Sequence, residues 1–282
     1  MTMTGRRGLP YVADRTYNLR AYLDNQGERR AQWTEQCPPR GSVSAVTNMN
    51  GTNLPSNRIL ASLPARARLQ LEGQLKPITL EFGKVLYEPG REIRIVYFPL
   101  DCLVSLLTAV DKRRTLEVGM VGNEGMAGMP FILGVGVSGV RALVQGAGRA
   151  LCIDAASFRH EFDRNRALQQ ALYRYTYALM AQVSQTAACN RFHDSGQRLA
   201  RWLLMTSDRV GSDEFPLTQA FLAHMLGLRR VGVTSAASEM KRRGLIDYTR
   251  GQLRILNRKN LLRASCSCYQ IVNDVFARAE RA

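Results

Sequence analysis

Acidic residues are scarce in this chain of 282 residues. Only 23 Asp and Glu stand against 39 Lys and Arg, a net charge of +16. Such an excess points towards polyanions, either nucleic acid or an anionic surface. Long apolar runs are missing as well. The apolar uncharged stretch between Glu124 and Arg141 is broken by Gly125, Gly128, Pro130, Gly134, Gly136 and Gly139. It is shorter than the roughly 18–20 apolar residues of a spanning helix. The opening MTMTGRRGLPYVADR has no apolar segment of the secretory kind, so a cytoplasmic protein without a membrane partner is expected.

Chemistry-bearing residues are thin too. The six cysteines are scattered, which does not suggest a disulfide framework. The C-x-C of Cys266 and Cys268 is the one weak metal hint, and no metal site and no catalytic residue are expected. The three histidines, His160, His193 and His224, lie outside the strand-like region. A cupin-like barrel enzyme would need clustered ligands there. Gly134, Gly136 and Gly139 spell G-x-G-x-x-G, but strand-like residues follow where a dinucleotide site needs a helix.

Hydrophobic residues make up 45% and charged residues 22% of the chain, enough apolar material for a real core. Residues 1–57 mix Gly, Pro, Asn, Ser, Thr and Arg without apolar periodicity and read as a disordered extension. A true start at Met49 would look the same. From Arg58 short strands follow one another, Ile78–Phe82, Lys84–Tyr87, Arg94–Phe98, Leu103–Thr108, Leu116–Val121, Val140–Gln145 and Ala150–Ile153. Their near-even spacing between Gly and Pro turns predicts an antiparallel jelly roll or barrel.

Beyond Ile153 the period becomes helical. Leu168, Leu172, Tyr175, Leu179, Val183 and Thr186 recur at steps of four and three. That spacing predicts the seam of a dimer; the plainer reading is a helix packed on its own barrel. A further helix carries Leu199, Trp202, Leu203 and Met205 and stops near Gly211.

The stretch Leu217–Leu256 is the most informative. Thr218 can cap a helix that buries Phe221, Leu222 and Met225. Gly227 then supplies a tight turn, and a second helix follows with Val233, Ala237 and Met240 inward. Leu245–Tyr248 and Leu253–Leu256 alternate around Arg250-Gly251 as the two strands of a wing. Helix, turn, helix and wing form a unit whose second helix fits a major groove. From Arg198 to Ala282 there are 15 basic and 7 acidic residues, an excess of 8 and half the total. Phosphate neutralisation makes that location meaningful.

These residues carry a resemblance. The chain from about Arg58 to Tyr269 resembles the Crp/Fnr family of bacterial transcription regulators. Phe82-Gly83 through Tyr87-Glu88-Pro89-Gly90, Tyr97-Phe98-Pro99 and Val121-Gly122-Asn123-Glu124-Gly125 carry it in the first half. Leu217-Thr218-Gln219, Leu222-Ala223, Leu226-Gly227 and Gly244-Leu245-Ile246 carry it in the second. The resemblance implies an α+β chain with an N-terminal antiparallel β-roll, a long dimerisation helix and a C-terminal winged helix-turn-helix. The expected domains are the extension at 1–57, a cyclic-nucleotide-binding-like sensor at 58–165, the dimerisation helix at 166–190, the DNA-binding domain at 191–265 and a tail at 266–282.

The expected DNA-binding residues are Thr218, Gln219, Arg229, Arg230, Val231, Thr234, Ser235, Lys241 and Arg250, with base reading at Arg230, Val231 and Ser235. Relatives often carry an acidic residue where Val231 stands and an arginine where Ser235 stands, so the usual target sequence is not carried over. In cyclic-nucleotide-binding relatives a glutamate holds the ribose and an arginine the phosphate, and Glu124 and Arg141 are the candidates here. The stretch between them is too apolar and too long for that cassette, so a cyclic nucleotide is disfavoured and no cofactor is expected. The implied partners are double-stranded DNA, a second copy of the chain, RNA polymerase and an unidentified small-molecule effector. A dimeric sensor or adaptor that does not bind DNA is the competing reading.

Overall fold

The computed structural model describes residues 56–111, 115–249 and 251–281. The predicted extension and the wing-tip residue Arg250 fall outside the described residues, apart from the extension's last two positions. Two short helices, α1 (Arg58–Ala61) and α2 (Ala65–Glu72), lead into the strands. Asn57 anchors their start. Its side-chain amide donates to the carbonyls of Pro99 at 3.0 Å and Gly125 at 2.8 Å, while its oxygen caps α1.

Seven strands make the β-roll, β1 (Lys76–Leu80), β2 (Val85–Tyr87), β3 (Ile95–Pro99), β4 (Leu103–Ala109), β5 (Thr115–Val121), β6 (Arg141–Gly146) and β7 (Gly148–Asp154). All pairings are antiparallel, in one sheet of order β1-β7-β3 and another of order β2-β6-β4-β5. Each predicted strand is present with ends shifted by a few residues. Phe98, Leu80, Leu103, Leu107, Met120, Leu143 and Ile153 fill the interior. A one-turn helix, α3 (Met129–Ile132), occupies part of the uncharged stretch between β5 and β6.

Asp154 caps α4 (Ala155–Arg164), accepting from the Ser157 amide at 2.9 Å. Asn165 ends α4 and caps α5 (Arg166–Phe192) by accepting from the Leu168 amide at 2.9 Å. The 27 residues of α5 contain neither glycine nor proline, so nothing interrupts the helix. α5 lies along β5, where the Gln182 amide pairs with both backbone groups of Met120, at 2.7 and 3.2 Å. It thereby satisfies part of an exposed sheet edge.

This packing corrects two expectations. Leu168, Leu172, Tyr175, Leu179 and Thr186 are buried within their own chain and Val183 half-buried, so the apolar stripe read as a dimer seam is spent inside the protomer. Residues 266–282 are no tail either. Helix α10 (Cys268–Arg281) lies along α5 and buries Cys268, Tyr269, Val272 and Phe276.

A capping box of Asp194 and Gln197 starts α6 (Ser195–Val210). α6 is buried on nearly every side, between the β-roll and the C-terminal helices. The remaining elements are β8 (Glu214–Pro216), α7 (Gln219–Leu226), α8 (Arg230–Arg242), β9 (Ile246–Thr249), β10 (Gln252–Ile255) and α9 (Arg258–Ala264).

Candidate nucleic-acid interface

The Thr218 hydroxyl accepts from the Phe221 amide at 3.1 Å and starts α7. Gly227 ends it at φ +59°, a conformation that costs other residues. Arg229 occupies the cap position of α8. Val233, Ala237 and Met240 are buried beneath α8, as their spacing predicts, which turns the opposite face outward. Arg229, Arg230, Val231 and Ser235 are exposed on it. Val231, a large apolar residue, is 78% exposed.

Thr218 and Gln219 are half-buried beside this face, and the Thr234 hydroxyl donates to Gln219 Oε1 at 2.8 Å. That bond fixes the amide of α7 against the outer helix and leaves its NH2 end as a donor. Lys241 is exposed in the last turn of α8. Its ammonium pairs with Asp247 at 2.8 Å and donates to the Tyr248 carbonyl at 3.2 Å, joining α8 to the wing. The wing is the sheet β8-β10-β9, and Gly251 turns its hairpin at φ +81°.

The unit rests on the β-roll. Phe82 and Phe221 meet with centroids 5.4 Å apart and their rings tilted by 50°, and Thr115 hydrogen-bonds the His224 ring. Burial, and next the charge of Arg141, hold the His224 imidazole below its ordinary pKa. Deeper in, Glu117 accepts from Ser105 at 2.6 Å and from the Trp202 indole at 2.9 Å. Burial pushes its carboxyl up to about 7 against these bonds and the charges of Arg201 and Arg209.

A family model described as a Crp-like helix-turn-helix domain matches residues 197–264. The chain carries a Crp-like helix-turn-helix domain. Solved structures extend the likeness to the fold. One, assigned to the crp/fnr family of regulators from Eubacterium rectale, has 15% identity and a TM-score of 0.58, over 73% of this chain and 96% of that one. FixK2 from Bradyrhizobium japonicum has 13% identity and a TM-score of 0.55, over 68% and 98%. The c-di-GMP responsive regulator CLP of Xanthomonas campestris has 16% identity and a TM-score of 0.53, over 68% and 99%. No curated protein sequence matches. The domain at residues 197–264 is Crp-like, and the fold over about seven-tenths of the chain is that of these solved structures.

The two candidate effector residues each have an ion-pair partner within the protein. Glu124 is buried and forms a 2.8 Å ion pair with Arg209 of α6, itself buried. Arg141 pairs with Glu88 at 2.9 Å on a half-exposed surface. Both are held by protein partners, and a ligand binding through them would have to replace these pairs. The ends that flank the Crp-like domain also hold what sequence spacing missed. Cys189 and His193, at the end of α5, stand beside Cys266 and Cys268, which corrects the reading of the C-x-C as isolated.

Proposed function

We propose that this chain binds double-stranded DNA as a homodimer and regulates transcription in the cytoplasm in response to a signal received by its β-roll. The observation that carries the reading is the outer face of α8, where Arg229 and Arg230 are exposed and form no ion pair within the described residues. An arginine at the N-terminal end of such a helix can reach guanine O6 and N7, the role proposed for Arg230, and Arg229 would meet phosphate. RNA polymerase and a small-molecule effector complete the reading, supported by the regulator class rather than by any contact.

The dimer surface we propose lies on the other side of α5. Tyr173, Tyr177 and Met180 are 51, 64 and 65% exposed, and the exposed Ser184 and Ala187 continue their row. The steps of four and three follow a coiled-coil period. Small residues at the end of the row leave room for a second helix to approach. Two such protomers would present α8 to half-sites about 34–36 Å apart, one DNA turn. The signal must favour one arrangement of β-roll and DNA-binding domain over another, and the Phe82–Phe221 and Glu117–Trp202 contacts are where the two meet.

Selection of duplexes from a random library tests this directly, with a two-fold symmetric consensus expected. Arg230→Ala should then cost about 1–3 kcal/mol on the selected site and far less on unrelated duplex. Equal losses on both, or no salt-dependent binding by the parent, would overturn the reading.

A further inference from the structure

The chain has a second constellation, away from the DNA-facing helix. Cys189 lies in the last turn of α5, and His193, four residues on, is the C-cap that ends it. Cys266, in the turn after α9, and Cys268, the first residue of α10, flank the exposed Ser267 and are both buried. The three cysteines are buried as a small group apart from the main core. The four side chains bring their ligand atoms within 4.8 Å of one another.

The separations are those of a single tetrahedral ion. Cys189 Sγ stands 3.6 Å from Cys266 Sγ, and Cys268 Sγ stands 3.5 Å from His193 Nδ1. With zinc–sulfur bonds near 2.3 Å and zinc–nitrogen bonds near 2.0–2.1 Å, the edges of a tetrahedron come to about 3.8 Å and 3.6 Å. A multi-iron cluster needs more room than four atoms this close can bracket. The geometry points to a zinc site of Cys189, His193, Cys266 and Cys268, which clasps both ends of the DNA-binding domain.

The surroundings suit thiolates. Gln185 donates to Cys268 Sγ at 3.0 Å, a supporting bond of the kind that orients metal ligands. Arg198 and Arg201 of α6 are each more than nine-tenths buried. Arg198 Nε and both Nε and Nη1 of Arg201 have no hydrogen-bond partner. The hydrogen bond shared with Cys266 and burial hold the Cys189 thiol above its ordinary value, the charge of Arg201 opposes them, and Arg198 lies within the field of Cys189 and Cys266. Three thiolates, a neutral imidazole and Zn2+ sum to one negative charge, which the buried guanidiniums nearby more than offset. Binding releases the thiol protons to solvent, so occupancy should fall in acid.

Position gives the site its consequence. One ligand pair precedes residues 197–264 and the other follows them. The ion therefore fixes how the Crp-like domain leaves α5, and losing it frees α10 from that helix at one end.

The test uses the full chain, produced with added zinc and stripped of loosely held metal. Elemental analysis should find one zinc per chain, the stoichiometry of a structural site. Cys266→Ser/Cys268→Ser should lose it, and Cys102→Ser, whose free thiol lies in the β-roll, should keep it. If the double variant does not fold, the parent still decides. Cobalt substitution should give thiolate-to-metal charge-transfer bands with intense tetrahedral visible bands, and a mercurial reagent should release the zinc. Metal-free parent protein that takes up no cobalt overturns the proposal. So do zinc content unchanged in a folded double variant, iron or copper in place of zinc, and a Cys189–Cys266 disulfide in freshly isolated protein.

Discussion

The Trp202 indole nitrogen donates to the Glu117 carboxylate at 2.9 Å, tying the helix that opens the DNA-binding domain to the β-roll. Ser105 holds the other carboxylate oxygen, and Ser105 also bonds Gln145, whose amide donates to Thr206 at 3.4 Å. A polar chain thus runs through the apolar contact between the two parts.

Its pH dependence follows from burial. The Glu117 carboxyl is pushed from an ordinary value near 4.5 up to about 7, so the folded protein holds a proton that the unfolded chain releases earlier. Stability from this group is complete below pH 4.5 and is lost as pH rises to about 7. The loss is about 3 kcal/mol. Glu117→Gln keeps the shape and an acceptor for Trp202, and it should flatten the dependence between about pH 5 and 8 in denaturant titrations. A slope identical to that of the parent would show that Glu117 is ionised when folded.

A second prediction concerns the buried pair Glu124–Arg209, whose side chains are 1 and 5% exposed. Removing one partner strands a charge, at a cost of about 3–5 kcal/mol, whereas removing both does not. Arg209→Met should lower the unfolding free energy by that amount, and adding Glu124→Gln should restore most of it. If the two losses simply add, the ion pair does not exist in solution.

Much of this arrangement is legible in the residues. Val233, Ala237 and Met240 mark the inner face of α8 because a helix buries one side, and the short strands are bounded by turns that only Gly and Pro make easily. Helix α5 misleads because a period of four and three identifies an apolar face without saying what covers it. Leu172 and Tyr175 are covered by the protomer itself, which leaves Tyr177 and Met180 outward. Glu124 carries a motif glutamate, but its partner Arg209 lies 85 residues on. The cysteine cluster is hidden for the same reason, since Cys189 and Cys266 are 77 residues apart and meet only once α10 folds back.

Gly227 should tolerate no side chain. It holds φ +59°, and a Cβ there would stand 2.6 Å from Leu116 Cδ1 on β5. Two costs are separable. Left-handed backbone costs about 1–2 kcal/mol for an L-residue, and the clash adds to it. Gly227→Ala should destabilise by at least that much, and Leu116→Ala in the same chain should recover only the steric part. Full recovery would mean that the backbone conformation is not strained.

The last prediction separates the two faces of α5. Tyr177→Glu/Met180→Glu places like charges across the proposed dimer surface, where both parent side chains are mostly exposed in the protomer. Surface substitutions of this kind cost little folding free energy, within about 0.5 kcal/mol. Sedimentation should therefore show a folded monomer with a near-parental melt, and duplex binding should weaken because two half-sites are no longer engaged together. Leu172→Glu must behave differently, since Leu172 is fully buried. It should unfold the protomer rather than split a dimer. A double variant that sediments as a dimer would place the interface on another surface of the chain.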